Sequence, residues 1–442
     1  MMQRNENIFG TDGIRGPFGF GVFTHTNLVR LTHALALWLV EKKITEPVLL
    51  GRDTRASGKI IATVLKHVLA QHGICCIDGG VLPTPLVSFT LKHAQSFGTG
   101  IMITASHNPA MDNGLKILDS FGSKISLQDE VRISRLYYSQ PEQNFELQSE
   151  VVCINQTTHN QYVNAYTAAL HTFFVGLDLA GMTLCVDTAN GALSHIAKPV
   201  LESFGAHVIL ECAMPSGTNI NQQCGAAYAT WHERFREHTN VLKCSFDGDG
   251  DRLGVVDTTG CELNGDDLLW VLSHLETYAH NSCYVGTIMS NGALEKACAA
   301  REKEFARSQV GDKYVVEMLI QNNALLGAEP SGHVILLDKN PISDGLMVLL
   351  AYLYAQQVCQ GLKPLLKYAQ KHARIPFEKS RLGEVKEICA RALNDVPVDG
   401  ARLVVRPSGT EPIVRVMVEH QDAGCAEMVL ARVRTWLIEK IS

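Results

Sequence analysis

The chain has 442 residues, 46% of them hydrophobic and 19% charged, with a net charge of −6. A length of this order exceeds one ordinary core, so about two to four domains are expected, and the absence of a dominant basic stretch excludes nucleic acid as a partner. No membrane span is expected, since the longest apolar stretch, Leu346 to Ala355, is too short for one, and the polar start Met1-Met2-Gln3-Arg4 is unlike a secretory signal, so the cytoplasm is the expected location.

Three segments then repeat one rhythm of strand, turn, helix and strand. The first has the strand Val48 to Leu50, the turn Gly51-Arg52-Asp53-Thr54-Arg55, a helix over about Gly58 to His72 and, after Gly73, the strand Ile74 to Ile77. Thirteen cysteines are scattered without a C-x-x-C, and the adjacent Cys75 and Cys76 in this apolar run are expected to be buried free thiols. The second segment has Thr183 to Val186, the turn Asp187-Thr188-Ala189-Asn190-Gly191, a helix to Phe204, then His207 to Leu210. The third has Cys283 to Val285, the turn Met289 to Gly292 and a helix from Ala293. Glycine just past a helix is a stop signal, and strand–helix–strand units imply parallel or mixed sheets.

The last part reads differently. Lys371 to Leu382 is charged and broken by Pro376, like a linker; a helix near Glu384 to Leu393, strands Ala401 to Val405 and Ile413 to Glu419, and a helix Ala426 to Ile441 follow. The expected fold class is therefore α/β. Three related α/β domains with mixed sheets span 1–157, 158–254 and 255–370, and a smaller α+β domain spans 371–442.

Four loops, one per expected domain, have compositions suited to phosphate and sugar. Thr104-Ala105-Ser106-His107-Asn108-Pro109 follows an apolar strand and presents an exposed loop hydroxyl, though alone it also fits a Ser turn or a helix cap. No serine sits in a G-x-S-x-G elbow, which gives a hydrolase nucleophile little support. The most informative tract is Phe246-Asp247-Gly248-Asp249-Gly250-Asp251-Arg252, where alternate carboxylates can converge on one hard cation such as Mg2+. An EF-hand would need Gly and Glu where Arg252 and Thr258 stand, and G-x-G-x-x-G fails at Leu253. Gly327-Ala328-Glu329-Pro330-Ser331-Gly332-His333 offers a carboxylate, a hydroxyl and an imidazole to sugar hydroxyls. Arg406-Pro407-Ser408-Gly409-Thr410-Glu411-Pro412 joins two strands and can form a concave anion site; a tight hairpin is the bland alternative.

Together these loops resemble those of the α-D-phosphohexomutase superfamily, most closely its phosphoglucosamine mutase branch. Phe9-Gly10-Thr11-Asp12-Gly13-Ile14-Arg15-Gly16 looks like that branch's opening signature, and Val310-Gly311-Asp312-Lys313-Tyr314-Val315 resembles its third-domain loop. The resemblance runs from residue 9 to beyond 418, and it implies a four-domain, heart-shaped fold. It further implies that Ser106 is the phosphorylated serine and that Ser106, through its phosphate, joins Asp247, Asp249 and Asp251 around Mg2+. Arg252 would contact the phosphoserine, Arg15 would lie beside the reacting oxygens, and Lys116 would be the general acid/base. His107 and His333 would handle protons or hydrogen bonds. Glu329 and Ser331 would grip sugar hydroxyls, and Arg406, Ser408, Gly409, Thr410 and Arg415 would bind the phosphate that is not reacting.

The implied cycle moves the Ser106 phosphoryl group to O1 of a hexosamine 6-phosphate. The resulting 1,6-bisphosphate, which also serves as activator, turns over and returns its 6-phosphoryl group to Ser106. The implied partners are a small sugar phosphate and a kinase that first charges Ser106; no oligomeric state follows. Thr104 stands where the glucosamine branch usually has serine, and Pro330 where a more flexible residue is commoner. Glucose or mannose phosphomutases are therefore the nearest rivals. A Mg2+-dependent phosphatase using phosphoserine comes next, and a non-catalytic sensor is disfavoured by a nucleophile accompanied by three aspartates.

Overall fold

The computed structural model describes residues 7–141, 156–359, 361–408 and 412–441. Among them are four sheets. The first orders its strands β1-β5-β4-β2-β3, with β1 Ile14–Pro17, β2 Val48–Arg52, β3 Cys76–Val81, β4 Thr99–Ile103 and β5 Asp112–Asp119. β4, β2 and β3 run parallel, while β5 and β1 are antiparallel additions. The run Val48-Leu49-Leu50 is continuously apolar because both faces of β2 are covered. Val48 and Leu50 pack with Leu35 and Leu65, in the core shared with helices His25–Glu41 and Ser57–Gln71. Leu49 belongs to a second core with helix Thr84–Ala94.

The second sheet is β10-β9-β8-β6-β7, with β6 Thr183–Asp187, β7 His207–Glu211, β8 Leu242–Phe246, β9 Leu253–Val256 and β10 Glu262–Leu263. It runs beyond the expected boundary at 254, because β9 pairs with β8 and carries the chain back along the same sheet. Turns occupy residues 191–196, so the helix expected from Gly191 onward is confined to Ala197–Ser203. The third sheet is β12-β11-β13-β14, from β11 Cys283–Thr287, β12 Glu304–Ser308, β13 Leu326–Ala328 and β14 Val334–Leu336. Helix Gly345–Val358 is apolar nearly all round and buried, as a helix without a polar face must be. It unites residues from the first three sheets in one hydrophobic core.

The fourth sheet is β15-β17-β16, with β15 Ala369–Pro376, β16 Arg402–Pro407 and β17 Ile413–His420. The first half of the charged stretch expected as a linker, Lys371 to Pro376, is thus part of an edge strand. An edge strand exposes one face, which its charges suit, and it tolerates a terminal proline. This sheet has its own core with helices Leu382–Asp395 and Ala423–Ile441. Polar contacts tie it to the third sheet: Arg402 donates to the carbonyls of Ile288 and Ser290 at 2.8 and 2.7 Å, and Glu419 accepts from the Gly292 N–H at 3.1 Å. Cys75 and Cys76 are exposed and half-buried rather than buried, because they lie at the start of β3, an edge strand. No described helix is long and apolar enough to cross a membrane.

Candidate active site

The serine loop starts where β4 ends. Ser106 takes a left-handed backbone, φ +51, a conformation that persists at a non-glycine residue only when its surroundings hold it. Its N–H donates to Thr104 Oγ1 at 2.8 Å, and Thr104 Oγ1 donates onward to Asp53 Oδ2 at 2.7 Å. Its carbonyl accepts from Asn221 Nδ2 at 2.8 Å and Arg55 Nη2 at 2.9 Å. The Arg55 side chain is fully buried and pairs with Asp53 at 2.9 Å. It also donates to the carbonyls of Asn108 and Asp112, each at 2.9 Å, and of Pro109. Sequence reading missed Arg55, Asp53 and Asn221 as loop supports; the polar turn Gly51 to Arg55 after a buried strand was the only signal.

Arg55→Gln should therefore destabilise the fold, since it strips Asp53 of its counter-charge and removes a donor from the carbonyls of Ser106, Asn108, Pro109 and Asp112. Loss of one partner from a buried ion pair costs about 3–5 kcal/mol. Urea denaturation of the purified variant measures this, and an unchanged midpoint would remove the clamp from the account.

Ser106 is not an exposed hydroxyl: it is 1% exposed, and its Oγ donates to Asp247 Oδ2 at 2.6 Å. The aspartate loop, between β8 and β9, reaches it because glycines separate the carboxylates. A Cβ on Gly248 would stand 2.7 Å from the Ser106 carbonyl oxygen, and Gly250 has φ +76. Asp247, Asp249 and Asp251 are all buried, with ligating oxygens within 4.8 Å of one another. Burial, followed by repulsion from Asp251 and Asp249, pushes the Asp247 carboxyl up to about 7. Lys116, on β5, is 2% exposed and far from a solvated strand lysine. Its Nζ lies 2.8 Å from Asp249, 2.6 Å from Asp251 and 3.2 Å from Asp12. Burial opposes its charge, but those three carboxylates prevail and raise its pKa well above the ordinary lysine range.

The donor set has the geometry a cation requires. Asp249 Oδ1 is buried yet has no hydrogen-bond partner, while Oδ2 takes Thr84 Oγ1 at 2.5 Å as well as Lys116. An unsatisfied anionic oxygen among three clustered carboxylates fits a hard, oxygen-seeking ion, so these residues suit Mg2+.

His333 sits between two carboxylates, with Nδ1 2.9 Å from Glu329 Oε2 and Nε2 3.2 Å from Asp251 Oδ1. Burial disfavours its charge, yet Asp251 and the hydrogen bonds to both carboxylates lift its pKa to about 10. As an imidazolium it donates from both nitrogens, so Arg252 Nε at 3.2 Å is a like-charged neighbour rather than its donor. Arg252 also approaches Asp247, at 4.0 Å. His107 Nδ1 lies 3.4 Å from Ser106 Oγ. Burial, then the Arg252 and Arg15 guanidiniums, depress the His107 pKa to about 3 and keep the ring neutral. Arg15 pairs with Asp12, which Lys124 joins to Asp312 of the Val310-to-Val315 loop. Asp12, Lys124 and Asp312 are further supports that the sequence reading did not single out.

Glu329 is 3% exposed, and its second oxygen accepts from the Gly311 N–H at 2.8 Å. Ser331 is exposed at the tip of the same loop. In the fourth sheet Arg406 pairs in register with Arg415, and Arg415 with Arg374 on β15. Facing like charges are unfavourable on a sheet, which suits a face that receives an anion. Burial and Arg415 lower the Arg406 pKa while Glu329 acts against them, so Arg406 lies within electrostatic reach of the Glu329 loop. Ser408 follows β16; Gly409 and Thr410 lie outside the described residues.

Family models match three parts of the chain: phosphoglucomutase/phosphomannomutase α/β/α domain I at residues 6–144, α/β/α domain III at 264–374 and the C-terminal domain at 367–435. A phosphoglucosamine mutase from Ralstonia pickettii is 36% identical, covering 98% of this chain and 100% of its own. Another from Thermotoga neapolitana is also 36% identical, covering 95% and 96%. A phosphoglucomutase/phosphomannomutase family protein from Burkholderia thailandensis shares the fold, with a TM-score of 0.77 at 21% identity over 99% of this chain and 98% of that one. Aspergillus fumigatus N-acetylphosphoglucosamine mutase, solved with GlcNAc-6P and magnesium, has a TM-score of 0.64 at 15% identity over 98% and 96%.

Proposed function

The chain belongs to the phosphoglucosamine mutase family of phosphohexomutases, and from that premise we propose that it interconverts glucosamine 6-phosphate and glucosamine 1-phosphate, as an intramolecular phosphotransferase of the isomerase class. The observation that carries this reading is the bond from Ser106 Oγ to Asp247 within the cluster of Asp249, Asp251 and Lys116. In the forward direction the bond between phosphorus and Ser106 Oγ breaks as one to the sugar O1 forms, giving the 1,6-bisphosphate. After this intermediate turns over, its 6-phosphoryl group returns to Ser106 and the 1-phosphate leaves. Mg2+ held by Asp247, Asp249, Asp251 and the phosphorylated Ser106 would neutralise the charge that builds on the transferring oxygens.

Lys116, charged in this arrangement, is assigned as general acid/base: it donates a proton to the departing serine oxygen, and the proton that the sugar O1 hydroxyl loses restores its charge. Arg15 and Arg252 add positive charge on the serine side, and neutral His107 serves as a hydrogen-bonding group there. Glu329, Ser331 and His333 are assigned to the sugar. Arg406, Ser408, Gly409, Thr410 and Arg415 are assigned to the non-reacting phosphate. We divide the chain at 157, near 263 where the second sheet ends, and near 370. The polar attachment of the fourth part permits adjustment between the two orientations of the bisphosphate. A kinase for the first charging of Ser106, a cytoplasmic location and a place in supplying cell-envelope precursors complete the proposal.

Thr104 carries less weight on sugar choice than its position suggested. Its hydroxyl is committed to Asp53 and the Ser106 N–H, a role serine fills equally. Side-by-side kinetics should give the highest kcat/KM with glucosamine 6-phosphate and lower values with glucose and mannose 6-phosphates. Faster turnover of a glucose phosphate would reassign the sugar and leave the phosphoryl chemistry intact.

Metal dependence is checked separately. EDTA should abolish turnover and Mg2+ restore it. Asp249→Asn should weaken Mg2+ binding in a calorimetric titration by about tenfold or more, the scale on which lost carboxylate support acts. An unaltered titration would remove Asp249 from the ligand set.

A further inference from the structure

A second cluster of reactive side chains lies in the second sheet. Asp187 ends β6, Cys212 follows β7, and Cys224 precedes Gly225 on the excursion that leads toward β8. Their ligating atoms all lie within 4.8 Å of one another; Cys224 is 2% exposed and Cys212 partly exposed. A bound cation is disfavoured by what surrounds them. Both Asp187 oxygens are already engaged, accepting the Ala189 N–H at 2.7 Å and the Gly225 N–H at 3.0 Å, and the Arg234 guanidinium acts on both thiols. A bond between the two sulfurs needs neither the carboxylate nor a cation.

The sulfurs are also unequal. Asn190 Nδ2 lies 3.9 Å from the Cys224 sulfur, which is 2% exposed, whereas Cys212 is partly exposed. The interaction between the two thiols, with the amide beside it, lowers the Cys224 pKa and raises that of Cys212. A favoured thiolate beside a second thiol is the arrangement in which oxidation of one sulfur is followed by capture by the other. The segment between them reaches the reacting centre. Asn221 Nδ2 donates to the carbonyls of Ser106 and Asn108 at 2.8 and 3.1 Å, and the Gly217 carbonyl accepts from the Ala56 N–H at 3.0 Å.

We propose that Cys212 and Cys224 form a reversible disulfide, with hydrogen peroxide or another small hydroperoxide as oxidant, which restrains the segment that holds the Ser106 loop. The Cys224 thiolate attacks one peroxide oxygen, the O–O bond breaks, and hydroxide leaves, to be protonated to water. The Cys212 sulfur then attacks the resulting sulfenic sulfur, its proton leaving with the sulfenic hydroxyl as a second water. Two thiols and one peroxide thus become one disulfide and two waters. Closing this short loop removes conformations in which Asn221 has swung away.

The test uses the full reduced chain treated with hydrogen peroxide, quenched by alkylation and mapped by mass spectrometry. A linked peptide pair, lighter by about 2 Da than the two free-thiol peptides and released by dithiothreitol, is expected for Cys212 and Cys224. The pair should vanish in Cys212→Ser, and independently in Cys224→Ser. Amide exchange over residues 104–109 should slow by about twofold or more in the oxidised protein and not in either variant. Separate alkylation of both thiols after oxidation would overturn the proposal. So would stoichiometric binding of added Zn2+ to the reduced chain that shields both thiols, since that would make the cluster a metal site.

Discussion

Ser106→Ala should lose nearly all mutase activity, a fall of about three orders of magnitude or more, while the protein stays folded. In phosphoryl transfer most of the rate comes from positioning and charge, but both half-reactions of the proposed cycle pass through this oxygen, so its removal interrupts the route itself. The structural cost is small by comparison. The side chain has one strong hydrogen bond, to Asp247 at 2.6 Å, and a single bond of this kind contributes about 0.5–1.5 kcal/mol, or up to about 3 when the acceptor is charged. The main-chain bonds through Thr104, Arg55 and Asn221 that impose the left-handed turn persist in alanine. Peptide mapping of active wild-type enzyme should place the phosphate at residue 106, and coupled assays should find the alanine variant inactive. Full activity in that variant would end the assignment.

The contrast between Ser106 and Arg55 shows what sequence can and cannot reveal here. The three aspartates stood out because their chemistry is local: alternating carboxylates in one tract leave few other uses. The strand–helix rhythm near 48, 183 and 283 was readable for the same reason, as apolar runs and glycine stops lie within a few residues of each other. Ser106 stood out only through the resemblance of its loop, and the folded chain adds its burial and its bond to Asp247. Arg55 looked like one charge in a polar turn. Its importance comes from carbonyls at 106, 108, 109 and 112, which any sequence supplies equally well and which only the folded chain brings together. Lys371 to Pro376 was misread because an edge strand exposes charge on one face and so resembles a linker. The continuation of the second sheet through Leu253–Leu263 was hidden because strand pairing, rather than composition, determines which sheet owns a strand.

Lys116→Met should be damaging in two separable ways. Three carboxylates lie within 3.2 Å of its Nζ, and the substitution leaves them with unequal support. Asp12 keeps Lys124 and Arg15, and Asp251 keeps His333, but Asp249 retains the hydroxyl of Thr84 as a hydrogen-bond donor and only the more distant charge of Arg15. Stranding a buried charge costs about 3–5 kcal/mol, so thermal melting in EDTA should fall clearly below wild type. Mg2+ should then recover more stability in the variant than in wild type, because the ammonium no longer competes for Asp249 and Asp251. Activity should stay low even at saturating Mg2+, by about 10²–10⁴-fold, the range associated with a lost proton donor. Metal can replace the charge and cannot replace the proton. Melting curves with EDTA and with Mg2+, paired with single-turnover transfer from phosphorylated enzyme, separate the two losses. A variant that melts with wild type in EDTA would show that Lys116 does not balance the aspartates, and recovery of full transfer on adding Mg2+ would leave it a charge-balancing role alone.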